Sequence, residues 1–115
     1  MSPLLPSRTD VWLVDLDPPQ GHEQGGVRPI LVVSTDDFNH GRFGMTIVLP
    51  ITSVNKRIPF HVAVDPIEGG LSQPSFIKCE DIRVVSTARL KRRFGRVTPN
   101  TMRQVSDLLR KLLDD

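Results

Sequence analysis

The stretch Phe94-Gly-Arg-Val-Thr-Pro-Asn-Thr-Met-Arg-Gln-Val-Ser-Asp-Leu-Leu-Arg-Lys-Leu-Leu113 changes period part-way along. Phe94 to Val97 reads as a last short strand. Beyond it, Met102, Val105, Leu108, Leu109, Leu112 and Leu113 recur at helical spacing, with Arg103, Gln104, Ser106, Asp107, Arg110 and Lys111 between them. Thr98 supplies an N-cap and Pro99 a first-turn proline, so the spacing predicts a helix over 99–113. Its leucine stripe must pack on an apolar surface made by the rest of the chain, with the two terminal leucines available to a dimer contact.

Working back toward the N-terminus, the chain is a series of short apolar runs. Residues 11–17 read as a strand that Pro18 and Pro19 end. Pro29 to Ser34 is β-branched and almost continuously apolar, the pattern of a strand covered on both faces. Met45 to Leu49 is a third strand, closed by Pro50. Phe60 to Val64 alternates with the period of two expected of a half-exposed strand. Ser75 to Cys79 is a fifth, and Ile82 to Val85 is either a separate strand or its continuation. Glu68-Gly-Gly-Leu71 is a turn, and the adjacent acids Asp36 and Asp37 before Phe38 read as a turn or helix cap. Many short strands with frequent Pro and Gly punctuation, followed by one helix, predict a mainly β protein: a strongly bent sheet or small β-barrel with a C-terminal helix. No repeat, low-complexity tract or linker divides it, so residues 1–115 are expected to form a single domain.

A chain of 115 residues can bury a core without disulfides, and its lone Cys79 cannot form an internal bridge. No apolar run ahead of Arg8 resembles a secretory signal, and no window is long enough to span a membrane. A cytoplasmic protein without a membrane partner is expected. The net charge of +2 conceals an uneven distribution. Asp10, Asp15, Asp17, Glu23, Asp36 and Asp37 lie in the N-terminal half, whereas Ile82 to Ser106 holds no acid. That stretch carries Arg83, Arg89, Lys91, Arg92, Arg93, Arg96 and Arg103. Such a cluster is either a solvated basic surface or the footprint of a phosphate-bearing or acidic partner. With one Trp, five Phe and no Tyr, nucleic-acid binding mainly by aromatic stacking is disfavoured.

No Cys/His set has zinc spacing, the three histidines are far apart, and no phosphate-binding or dinucleotide fingerprint occurs, so no metal or cofactor is expected. The chemically dense segment is Gly21-His-Glu-Gln-Gly-Gly-Val-Arg-Pro29. It gathers an imidazole (His22), a carboxylate (Glu23), an amide (Gln24) and a guanidinium (Arg28) between two apolar strands, with glycines that let it bend. Arg28 is held extended by the following proline. It is either an anion-binding arginine or one paired with Glu23 to brace the loop. Thr52 and Ser53, just past a buried strand, either face the same cavity as Arg28 or cap local backbone groups.

Taken in order, Asp10-Val-Trp-Leu-Val-Asp-Leu-Asp-Pro18, Gly21-His-Glu-Gln24, Arg28-Pro29, Val32-Val33-Ser34, Phe38-Asn39, Pro50-Ile-Thr-Ser53 and the Cys79-containing strand resemble the MazF/PemK toxin family over nearly the whole chain. The resemblance implies an SH3-like small β-barrel of the CcdB/PemK-like kind, a homodimer, and metal-independent, sequence-selective cleavage of single-stranded RNA, with messenger RNA as the expected target. It also implies a cognate, MazE-like antitoxin that occupies the RNA groove, and contact with DNA only through that antitoxin. By the same likeness Arg28 and Thr52 match the family's catalytic pair, Glu23 an acidic position of some members, and His22 a histidine of the PemK branch. Gln24, Ser53, Lys56, Arg57, Lys78, Glu80 and Arg83 are the RNA-binding candidates.

Two departures stand out. Thr9 replaces the glycine that the family sets before Asp10, a small change of turn. Lys78-Cys79-Glu80-Asp81 replaces Arg-Cys-Asp-Gln, and a lysine lacks the bidentate fork of arginine, so Lys78 and Glu80 are taken as groove residues. The rival reading is a non-catalytic binding module on the same barrel, such as a gyrase-poisoning relative or an RNA-binding regulator, since small barrels host many functions. The presence of both Arg28 and Thr52 favours the nuclease.

Overall fold

The computed structural model describes residues 5–16 and 26–114. Within them the chain forms β1 (Asp10–Asp15), β2 (Val27–Val32), a short helix α1 (Asp36–Asn39), β3 (Met45–Thr52), β4 (His61–Val64), β5 (Ser75–Lys78), β6 (Arg83–Ser86), β7 (Leu90–Arg96) and α2 (Pro99–Leu113), with 3-10 turns at Glu68–Gly70 and Thr87–Arg89. The strands make one antiparallel sheet in the order β4-β5-β3-β2-β1-β7, with β6 also paired to β3. Among the described residues β4 and β7 do not pair, so the sheet is barrel-like rather than a closed ring.

Burial explains why β2 reads as an unbroken apolar run. Ile30 and Val32 pack with Trp12, Val14, Val48 and Val85 in one cluster, while Leu31 and Val33 pack with Val11, Leu49, Ile51 and Ile77 in another. A strand covered on both faces has no polar side. Met102 and Val105 of α2 lie in the second of these clusters, with Leu108, Leu109 and Leu112 against it. Leu113, by contrast, is largely exposed. Thr98 caps α2 by accepting from the Thr101 N–H, and Glu68 accepts the Thr98 N–H at 2.8 Å.

The expectation that Pro50 closes the third strand is overturned, because β3 runs on to Thr52. Val33 N–H donates to the Ile47 carbonyl, so odd-numbered residues of β3 aim their backbone groups at β2 and Pro50 turns its nitrogen to the other edge. On that edge β6 pairs with residues 45–48 and β5 with 51–52. Pro50 lies where one partner gives way to the other, and the missing N–H breaks no ladder. Two other expectations are settled: β6 is separate from β5, and Asp36 and Asp37 form the first turn of α1.

The start of β1 is fixed by polar contacts. Asp10, 1% exposed, accepts from Ser7 N–H and Trp12 Nε1 on one oxygen, and its other oxygen meets Arg96 at 3.1 Å and Arg93 at 3.3 Å. Arg8 donates through its guanidinium to the Val33 carbonyl and Ser106 Oγ. Between them Thr9 has φ +82°, a left-handed backbone that a β-branched residue rarely adopts. Its N–H donates to the Val32 carbonyl and its carbonyl accepts from Val97, which holds it there.

Candidate active site

The β2–β3 register runs Val32 with Val48, Leu31 with Leu49, and Ile30 with Pro50. Carried two residues further, the same register aligns Arg28 with Thr52. Both line an open cavity of about 620 Å³. The Thr52 hydroxyl oxygen accepts the Val54 N–H at 3.1 Å. That bond uses a lone pair, so the hydroxyl is fixed in place with its hydrogen still able to donate. The turn-capping and cavity-facing readings of Thr52 are therefore compatible.

Lys56, Lys78 and Arg92 share this lining with Arg28, and among the described residues that line it there is no Asp or Glu. Ser53, Ser72, Gln73 and Ser75 add neutral donors, while Pro29, Ile51, Leu71 and Phe94 form apolar wall. Four cations around neutral hydrogen-bonding groups suit a polyanion with apolar or aromatic parts.

Lys78 is nearly buried, and its ammonium lies 3.4 Å from Asp81. Asp81 also receives Arg83 through two bonds, Nε to Oδ1 at 3.0 Å and Nη2 to Oδ2 at 2.9 Å. Burial pushes the Asp81 carboxyl up, but the Arg83 and Lys78 bonds and charges outweigh it and hold its pKa below the ordinary value. Glu80 pairs with His61 at 3.0 Å. Cys79 is fully buried, and desolvation with the neighbouring Glu80 charge raises its thiol to about 12, so it stays protonated and unreactive. Among the described residues no group of three or more His, Cys, Asp or Glu is gathered to hold a metal ion.

Of the residues singled out in the sequence, Arg28, Thr52, Ser53, Lys56 and Lys78 come together on the cavity. Arg57, Glu80 and Arg83 do not line it, and His22, Glu23 and Gln24 lie outside the described residues. Arg92, Phe94, Ser72 and Gln73 line it without having been singled out. Arg92 belonged to the basic run, but nothing in that run says which of its cations turns to the cavity.

A family model described as PemK-like, MazF-like toxin of type II toxin–antitoxin system matches residues 7–113. The chain belongs to that family. It is 38% identical over 113 aligned residues to Endoribonuclease MazF9 of Mycobacterium tuberculosis, covering 93% of this chain and 95% of the relative. In structure it is similar to MazF from Deinococcus radiodurans, with a TM-score of 0.85, 25% identity, and coverage of 98% of this chain and 100% of that one. An endoribonuclease from a mycobacterial species, solved in complex with its cognate antitoxin, gives a TM-score of 0.77 and 27% identity over 95% of each chain. The toxin family thus accounts for the barrel-like antiparallel sheet and the C-terminal helix.

Proposed function

We propose that this toxin is a metal-independent endoribonuclease that cuts single-stranded RNA, messenger RNA foremost, at short specific sequences. The observation that carries the reading is the shared cavity of Arg28 and Thr52, with Lys56 and Lys78 beside them. Without a metal, the nucleophile is the substrate's own 2′-OH, which attacks the adjacent phosphorus and expels the 5′-oxygen. The products are a 2′,3′-cyclic phosphate and a 5′-OH. The enzyme must stabilise the five-coordinate phosphorane and manage two proton transfers.

A guanidinium offers two parallel N–H bonds to phosphate oxygens and stays charged at any working pH. Arg28 takes this part, with the Thr52 hydroxyl donating to a second oxygen. Glu23 or His22, in the loop leading to Arg28, takes the 2′-OH proton or orients the guanidinium. Lys56, Lys78 and Ser53 hold flanking phosphates. The family match over residues 7–113 and the core shared by sheet and α2 support one domain over 1–115. The mycobacterial complex supports a cognate antitoxin as partner, and through it any contact with DNA. A homodimer and a cytoplasmic location complete the reading.

The test is incubation of single-stranded RNA with the purified protein in excess EDTA, followed by sequencing of the ends. Cleavage is expected, with cyclic phosphate on the upstream product. RNA left intact at high protein, with Arg28→Ala behaving identically, would return the molecule to the non-catalytic binding module.

A further inference from the structure

Among the arginines of β7 and the turn before it, one is placed unlike the rest. Arg93 and Arg96 meet Asp10, and Arg89 donates to the Asp15 carbonyl. Arg92 instead lines the cavity, with its guanidinium 5.6 Å from the centre of the Phe94 ring, which lines it too. Arg92 aligns with Leu13 and Leu13 with Pro29. Two strand spacings, about 10 Å, therefore separate the Arg92 backbone from the neighbour of Arg28. That span can be covered by a nucleotide flanking the one being cut.

The wall beside Arg92 is closely packed. Gly70 has φ +73°, and a Cβ there would fall 2.3 Å from the Phe94 carbonyl oxygen, so the turn at Glu68–Gly70 seats directly on β7. Leu71 is buried in the core, and Ser75 Oγ donates to the Gln73 carbonyl at 2.9 Å. The exposed Gln73 side chain thus starts from a fixed backbone at the cavity rim.

We infer that Arg92, held over the Phe94 ring, acts with Gln73 as a base-recognition subsite that sets one position of the RNA cleavage motif. The inference rests on the ribonuclease reading. Binding a phosphate would need only charge, whereas a planar guanidinium held near an aromatic ring at the cavity wall can pack against a nucleobase as well. An amide carries both a donor and an acceptor, which matches the edge of a base; a phosphate has nothing to donate to the amide oxygen.

The experiment maps cleavage ends on a random-sequence RNA pool for the native chain, Arg92→Ala, Arg92→Lys and Gln73→Ala, with thermal midpoints taken to verify folding. One motif position is expected to lose roughly tenfold or more of its base preference in both Arg92 variants, and Gln73→Ala to relax that same position. The lysine variant separates plane from charge. If it keeps the native motif, or if the variants slow every site equally, the subsite assignment is overturned while the nuclease stands. A native chain that cuts no RNA would instead remove the nuclease reading and the subsite with it.

Discussion

Around Asp10 the chain brings Arg93 and Arg96 to a carboxylate that is almost fully buried. Around Thr52 it brings Arg28, Lys56, Lys78 and Arg92 to a cavity whose described lining includes no carboxylate. The first set is paired with one buried carboxylate and ties β7 to β1. The second surrounds open space, where an anion entering from outside would be drawn in. Lys78 stands between the two, since it lines the cavity and also reaches Asp81. Along β7, Arg93 and Arg96 thus serve the architecture through Asp10, while Arg92 lines the cavity.

The comparison breaks first at Arg28. Arg28→Ala is expected to lower RNA cleavage by on the order of 100–1000-fold, as removal of one preorganised donor to a developing charge does. The side chain is exposed, so stability should stay within about 0.5 kcal/mol. Denaturant unfolding beside a cleavage assay checks both. Asp10→Ala should do the reverse. It strips the partner of Ser7, Trp12, Arg93 and Arg96 at once. A loss of about 2–3 kcal/mol is expected, toward the low end for a broken buried pair because both arginines remain partly exposed. Cleavage per folded molecule should change little, and a large loss there would erase the distinction between the two regions.

How legible each region was in the sequence follows from the physics of each element. Residues 99–113 were readable because leucines at helical spacing with a Thr-Pro start admit one interpretation. Arg28 and Thr52 were readable as a pair through family resemblance, and the β2–β3 register supplies the spatial reason. The continuation of β3 past Pro50 was not readable, since a proline is harmless there only because β6 and β5 share that edge, a tertiary fact. Arg92 was hidden for a similar reason. The β1–β7 pairing shifts register between Val11 and Trp12 and again between Leu13 and Val14, so simple alternation along β7 does not say which arginine faces where.

Thr9 sharpens the architectural side. With φ +82° at a β-branched residue, the turn before Asp10 carries strain that its bonds to Val32 and Val97 hold in place. Glycine meets the same dihedral without that penalty. Thr9→Gly is expected to stabilise the protein by about 1 kcal/mol, part of the relief being offset by the greater freedom of glycine in the unfolded chain. Destabilisation on denaturant unfolding would mean that the Thr9 side chain contributes more than its backbone costs.

Asp81 tests the boundary between the two regions, with the smallest effect. Its carboxyl is held below the ordinary value because Arg83 and Lys78 together outweigh its burial. A carboxylate whose folded pKa is depressed adds stability that is fully present above its unfolded value, about 3.9. That stability is lost as the pH falls through the folded value. Stability measured against pH should therefore fall on the acid side below about pH 4, and Asp81→Asn should flatten part of that limb, leaving the share from Glu68, whose carboxyl is also held low. The same change removes the acid that Lys78 reaches, leaving more of its charge to the cavity. RNA binding should then weaken slightly more steeply with added salt. An acid limb unchanged in Asp81→Asn would mean that Arg83 and Lys78 hold this carboxylate no better in the folded chain than water does in the unfolded one.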